Sequence, residues 1–340
     1  MLPTTGVPGD SMSLDRIPRL RFAHLPTPIE PMARLGAHLG GQPLWVKRDD
    51  QTGLAFGGNK VRKLEYLLAE AQADGARTLI TTGAVQSNQC RQTAAAAARF
   101  GFTCILVLRG DAPSHPTGNL LLDLLCGAEL RWSGSRDPDE VLEEVFQEAW
   151  SAGHRPYKIV YGASSPVGAL GYVRAMSELM EQGEAFDRII VASSSAGTQS
   201  GMIVGARLFG FGGRITGVSV DRPAPELAAA VAALARQTAR LLDLPHDFDP
   251  SSVDVVDDYL GEGYAVLGAR EIEATRTFAR LEGLLLDPVY TAKAAGGMMD
   301  MIRTGRISRG ERVLFWHTGG GPAVFAYGDE LLGEPGSVRA

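Results

Sequence analysis

Gly57-Gly58-Asn59-Lys60-Val61-Arg62-Lys63-Leu64-Glu65 is the stretch on which the reading of the chain turns. The paired glycines give a tight turn with no Cβ to block a close approach. Val61, Leu64, Leu67 and Leu68 then recur at helical spacing, so Asn59 and Lys60 stand where a loop becomes a helix. Lys63 lies one turn further along the same face. A lysine at such a mouth suits a Schiff base with an anionic cofactor. Taken alone, the same residues also describe a solvated lysine opening an amphipathic helix.

Outward from this turn the chain alternates between β and α patterns. Upstream, 21–33 reads as an extended lead-in, with Pro26 and Pro28 biasing their predecessors away from helix. A strand over 44–47 ends at Arg48-Asp49-Asp50. Downstream, the Lys60 helix runs to about 74. Strands follow over 78–82, 104–108, 129–132 and 158–160, separated by helices over 89–100, 119–125 and 139–152. A second series has helices over 168–182, 226–242, 264–282 and 291–303, with strands over 188–192, 215–220 and 313–316. The pattern predicts an α/β protein of two domains, each an open parallel-rich sheet with helices on both faces. The larger domain would combine 1–58 with 168–340, and the smaller would span 59–167. The active site is expected in the interdomain cleft, at the carboxyl ends of strands.

Composition narrows the function classes. Over 340 residues, 45% hydrophobic and 21% charged content fit an ordinary globular protein. A net charge of −6 gives no support for nucleic-acid or anionic-membrane binding. No apolar run approaches the ~20 residues of a membrane span. Residues 1–12 lack the basic-then-apolar order of a signal peptide and read as a loose tail. Cys90, Cys104 and Cys126 lack metal-ligand spacing and are expected as reduced, mostly buried thiols of a cytoplasmic protein. Six scattered histidines make no HExxH-like cluster, so no metal site is expected.

Three further stretches can carry chemistry. Ser193 to Gly201 joins a buried strand to a helix N-terminus, where free N–H groups and the helix dipole favour an anion. Neither GxxxxGK[ST] nor GxGxxG is present, which favours a monophosphate over a dinucleotide. An ordinary capped helix after a tight turn is the alternative. Gln86-Ser87-Asn88-Gln89 stands at a similar junction. Ser87 is either a plain N-cap or a contact for a substrate carboxylate or reacting carbon, and Asn88 can bond a phenolate oxygen. Tyr264, Tyr290-Thr291 and His317-Thr318-Gly319-Gly320 lie near helix starts or at a sheet edge.

Together these stretches resemble the D-cysteine desulfhydrase and 1-aminocyclopropane-1-carboxylate (ACC) deaminase family. Its members are pyridoxal-phosphate (PLP) enzymes of fold type II, the tryptophan-synthase-β type. The likeness runs from about Pro18 to Tyr327 and keeps the family's motif order: KRDD at 47–50, GGNKxRKLE at 57–65, GAxQSN at 83–88, RQTAA at 91–95, GALGY at 168–172, LDPVYT at 286–291 and HTGG at 317–320. The resemblance implies that Lys60 carries the cofactor and that Asn88 bonds its O3′. It implies that Ser195, Ala196, Gly197 and Thr198, with Lys63, hold the phosphate, and that Thr291 or Thr318 lies near the pyridine nitrogen. Ser87, Asn88, Gln89, Tyr264, Tyr290 and Thr318 would face substrate, with Lys60, Ser87, Tyr264 and Tyr290 catalytic.

The deaminase branch resembles DPVYE, whose glutamate keeps the pyridine nitrogen protonated; Thr291 stands there in this chain. That exchange, and Thr318, favour β-elimination from D-cysteine. Gln89 and Gln199 replace histidines usual in the family, and 161–166 replaces a GGSN-like loop. L-cysteate sulfo-lyase and ACC deaminase are therefore the competing substrate assignments. A PLP- or amino-acid-binding protein is the non-enzymatic one. The resemblance also implies a homodimer acting on a small amino acid.

Overall fold

The computed structural model describes residues 12–244 and 247–333; apart from Met12, the expected N-terminal tail lies outside them. Among the described residues, ten strands form two sheets. Strands β1 (Ile29–Pro31), β2 (Leu44–Lys47), β7 (Arg188–Ser193), β8 (Arg214–Ser219), β9 (Val255–Val256) and β10 (Val313–Trp316) make the larger, ordered β1-β2-β10-β7-β8-β9. Every pairing in it is parallel except that of β1 with β2. Strands β3 (Thr78–Gly83), β4 (Thr103–Leu108), β5 (Glu129–Trp132) and β6 (Pro156–Ile159) form the second, wholly parallel and ordered β5-β4-β3-β6. Strand β3 is buried along its whole length, as a parallel strand covered on both faces must be.

Some boundaries differ from the sequence expectation for local reasons. Strand β1, expected only as extended chain, is a three-residue edge strand closed by Pro31, which cannot donate to a ladder. Strand β9, with two residues, is too short to leave a periodic signal. The helix expected from 264 begins at Ala269, where Glu271 Oε2 accepts the Gly268 N–H at 2.9 Å. Tyr264 therefore sits in the preceding turn, next to Ala265 at φ 62.

The Lys60 helix (Asn59–Ala73) is anchored to the larger sheet by buried charges. Arg62 Nη2 and Nε donate to Asp49 Oδ1 and Oδ2 at 2.8 and 2.9 Å. Its Nη1 donates to Glu178 Oε2 at 2.9 Å, and Lys47 Nζ donates to Glu178 Oε1 at 2.5 Å. Tyr172 OH donates to Asp49 Oδ2 at 2.6 Å. Two cations and two carboxylates thus cancel in the interior, joining β2, the turn after it, the Lys60 helix and the helix Pro166–Glu181.

Among the described residues no helix is long and apolar enough to cross a membrane, and no three His, Cys, Asp or Glu side chains group to hold a metal. Cys90 and Cys104 are buried, Cys126 is partly so, and all three are free.

Candidate active site

Lys60, Ser87, Asn88, Gln89, Tyr290 and Thr318 all border one cavity, together with Ser193–Ala196 and Thr198. The glycine turn makes this convergence possible. Gly58 has φ 126, and a Cβ there would lie 3.1 Å from Thr318 O and collide with Gln92. The turn therefore packs directly on the HTGG loop, where Asn59 N donates to Thr318 O at 2.9 Å.

Lys60 Nζ and Lys63 Nζ both donate to Gly162 O, at 2.9 and 3.2 Å. Burial pulls the Lys60 amine down to about 8. Burial, with the nearby Lys60 charge, pulls Lys63 well below the ordinary lysine range. Two amines on one carbonyl, with no carboxylate among the described residues that border the cavity, form a site short of negative charge.

The loop after β7 supplies the other wall. Its helix (Gly197–Phe209) starts behind Ala196, which is held at φ 70, a conformation costly for a residue with a Cβ. Ser164 Oγ lies 2.8 Å from Ser195 Oγ and accepts the Gly197 N–H at 3.2 Å. Asn59 Nδ2 donates to Thr198 Oγ1 at 3.1 Å, tying this loop to the glycine turn.

Ser87 caps the helix Asn88–Phe100, its Oγ accepting from Cys90 N at 3.2 Å, while also bordering the cavity. The cap assignment for Ser87 therefore holds, and capping does not remove it from the cavity wall. Tyr290 OH and Tyr264 OH are 2.6 Å apart. Burial raises both phenols well above the usual range, so they stay protonated. Of the two, Tyr290 borders the Lys60 cavity and Tyr264 lines an adjoining depression.

Thr291 does not border the cavity. Its hydroxyl accepts from Asp287 N at 2.6 Å and donates to Asp287 O at 3.2 Å, across the turn that leads into the helix Thr291–Arg303. Of the two threonines expected near a ring nitrogen, Thr318 is the one at the cavity. Sequence reasoning missed Tyr161, which borders both spaces, and Asp287, which is fully buried beside Asn88. For Tyr161 the only signal was the departure from a GGSN-like loop.

The family model described as pyridoxal-phosphate dependent enzyme matches residues 20–319. The chain belongs to that family. It is 41% identical over 337 residues to the 1-aminocyclopropane-1-carboxylate deaminase of Burkholderia ambifaria (strain MC40-6), covering 94% of this chain and 98% of that one. It is 42% identical over 328 residues to the D-cysteine desulfhydrase of Klebsiella pneumoniae (strain 342), covering 94% and 99%. A crystal structure of an ACC deaminase homologue matches with a TM-score of 0.89 at 38% identity, over 96% of this chain and 98% of that one. This is a PLP-dependent enzyme of the ACC deaminase and D-cysteine desulfhydrase group, on the fold expected from its sequence.

The residues present fit the cofactor. Ser193, at the cavity, has a buried hydroxyl without a hydrogen-bond partner, as does the Gln89 side-chain carbonyl. A Cβ on Gly197 would lie 2.8 Å from Lys63 Nζ and 2.5 Å from Ser164 Oγ, so glycine there keeps a polar cradle open. Such a cradle, at a helix N-terminus beside two lysines, matches a phosphate monoester.

Proposed function

We propose that this enzyme eliminates the β-substituent of a sulfur-containing amino acid, converting D-cysteine to pyruvate, ammonia and hydrogen sulfide. The observation that carries this reading is that Thr318 borders the cavity while no Asp or Glu among the described residues does; Thr318 would then be the partner of the ring nitrogen. A neutral hydroxyl is a poor partner for a pyridinium, and sulfide leaves without the strongly electron-withdrawing ring that opening a cyclopropane calls for. Overall identity does not separate the two relatives, at 41% and 42%. The absence of a carboxylate among the described residues that border the cavity is what supports β-elimination here.

In this reading Lys60 holds PLP covalently, Lys63 and Ser195–Thr198 hold its phosphate, and Asn88 faces its phenolic oxygen. When bound, PLP supplies the electron sink for charge left at Cα. With the cofactor bound, Lys60 would be the base for the Cα proton; its depressed basicity suits this near neutral pH. Ser87 and Asn88, at a helix N-terminus, orient the substrate carboxylate. Tyr290, hydrogen-bonded to Tyr264, delivers a proton to the departing sulfur. The enamine product of elimination would hydrolyse in water to pyruvate and ammonia. The enzyme would work as a homodimer on a small-molecule substrate.

A product assay over D-cysteine, L-cysteine, L-cysteate and ACC tests the assignment. Pyruvate with sulfide from D-cysteine is expected. 2-Oxobutanoate from ACC, or sulfite from L-cysteate, as the faster reaction would overturn it.

A further inference from the structure

Asn88 is gripped by side chains that do not themselves border the cavity. Its Oδ1 accepts from Asn119 Nδ2 at 2.9 Å and from Arg91 Nη1 at 3.2 Å. Its Nδ2 donates to Asp287 Oδ2 at 3.3 Å. Arg91, Asn119 and Asp287 are each 0% exposed. The grip is itself braced: Arg91 Nη1 donates to Asn119 Oδ1 at 2.7 Å and Nη2 to Gly57 O at 2.8 Å, while Asn119 N donates to Gln86 Oε1 at 2.8 Å. Donors meet Oδ1 and an acceptor meets Nδ2, which leaves the amide a single orientation. In that orientation the second Nδ2 proton is the group available to the cavity. A Cβ on Gly320 would lie 2.7 Å from Asn88 Nδ2 and 2.5 Å from Asp287 Cβ, so the contact also requires glycine across from it.

Two ionised groups therefore act on one amide. Burial lowers Arg91 to about 10, leaving it a cation at neutral pH. Asp123 faces it but is pushed up to about 8 by burial, so it is mostly neutral at pH 7; the Cys126 thiol, raised by burial, is neutral as well. Burial raises Asp287 to about 6 against hydrogen bonds from Thr291, Tyr290 and Asn88, so it is an anion at pH 8. The phenols that feel it, Tyr264, Tyr290 and Tyr327, are raised by burial and uncharged.

Resting on the reading that Lys60 carries PLP with Asn88 against its phenolic oxygen, we infer that Arg91 and Asp287 are positioning residues. They lock Asn88 as a hydrogen-bond donor and bias, with opposite signs, the protonation of the lysine–cofactor link. A fixed cation disfavours the protonated, positive form of that link and a fixed anion favours it.

The test titrates the visible absorbance of holoenzyme with pH, with borohydride labelling of Lys60 run alongside. Arg91→Met should move the midpoint up, and Asp287→Asn should move it down, each by ~0.5 pH unit or more. Arg91→Lys, which keeps the charge, should stay near wild type. Should Arg91→Met not fold, Asp287→Asn carries the test. Its Oδ1 can still accept from Tyr290 N and Thr291 N, both at 2.8 Å, and so keep the helix cap. Midpoints that move together, or stay fixed in variants still labelled at Lys60, overturn the inference. A wild-type enzyme not labelled at Lys60 overturns the underlying reading instead.

Discussion

Replacing Arg62 by Met should destabilise the enzyme by an amount that depends on pH. Arg62 makes five hydrogen bonds, to Asp49, Glu178 and Thr27, all with buried partners. Removing it leaves Asp49 and Glu178 facing only Lys47, and breaking a buried ion pair from one side costs ~3–5 kcal/mol. With an unfolding entropy of ~2.1 cal/mol/K per residue, a chain of this length loses ~4–7 °C in melting temperature. Burial pushes the Asp49 carboxyl up, but the charge and hydrogen bonds of Arg62 outweigh it and hold the group at about 2. This value is below the unfolded one, so Asp49 contributes stability above the unfolded pKa, lost as pH falls through about 2. Without Arg62, burial is opposed only by the Lys47 charge and by hydrogen bonds from neutral groups such as Tyr172 and Thr27, so the Asp49 carboxyl moves up and is protonated more readily than in the wild type. The deficit of the variant is therefore largest at pH 8 and shrinks toward pH 5. Adding Asp49→Asn to Arg62→Met should recover part of the loss at pH 8. Differential scanning calorimetry at both pH values reads this directly. A deficit equal at pH 8 and pH 5, or a double variant no more stable than the single one, would refute the reasoning.

Tyr290→Phe should lower kcat for D-cysteine by ~10²–10⁴-fold, the range for a general acid, with KM little changed. Tyr264→Phe, one hydroxyl removed from the cavity, should cost less; equal losses would mean that the pair acts as one unit. Capture of PLP by apoenzyme needs the neutral Lys60 amine, so its rate should rise with pH through about 8. Stopped-flow absorbance would follow it, and a flat profile between pH 6 and 9 would contradict the assignment.

The parts of the site legible in the sequence sit at junctions between a strand or turn and a helix. There, local chemistry dictates residue type: Lys60 after two glycines, Ser87 as a cap, and Ser195–Thr198 after β7. The illegible parts depend on contacts between distant segments. Asp287 reaches Asn88 from 199 positions away, and Glu178 reaches Arg62 from 116. Neither has a periodic or motif signal pointing to its partner. Thr291 is placed at the cofactor, as an alternative to Thr318, by its membership of LDPVYT, and its hydroxyl is engaged by Asp287 in the turn that leads into its helix. Tyr264 was expected to open a helix, but Ala265 at φ 62 and the Glu271 cap at Gly268 delay that helix to Ala269.

Lys60 and Lys63 share the Gly162 carbonyl, so the central claim turns on which of them binds the cofactor. Borohydride reduction of the holoenzyme followed by peptide mass mapping answers this. A phosphopyridoxyl group on Lys60, and loss of the yellow absorbance in Lys60→Ala, is the predicted result. The same group on Lys63, or a Lys60→Ala variant that stays yellow and active, would contradict it.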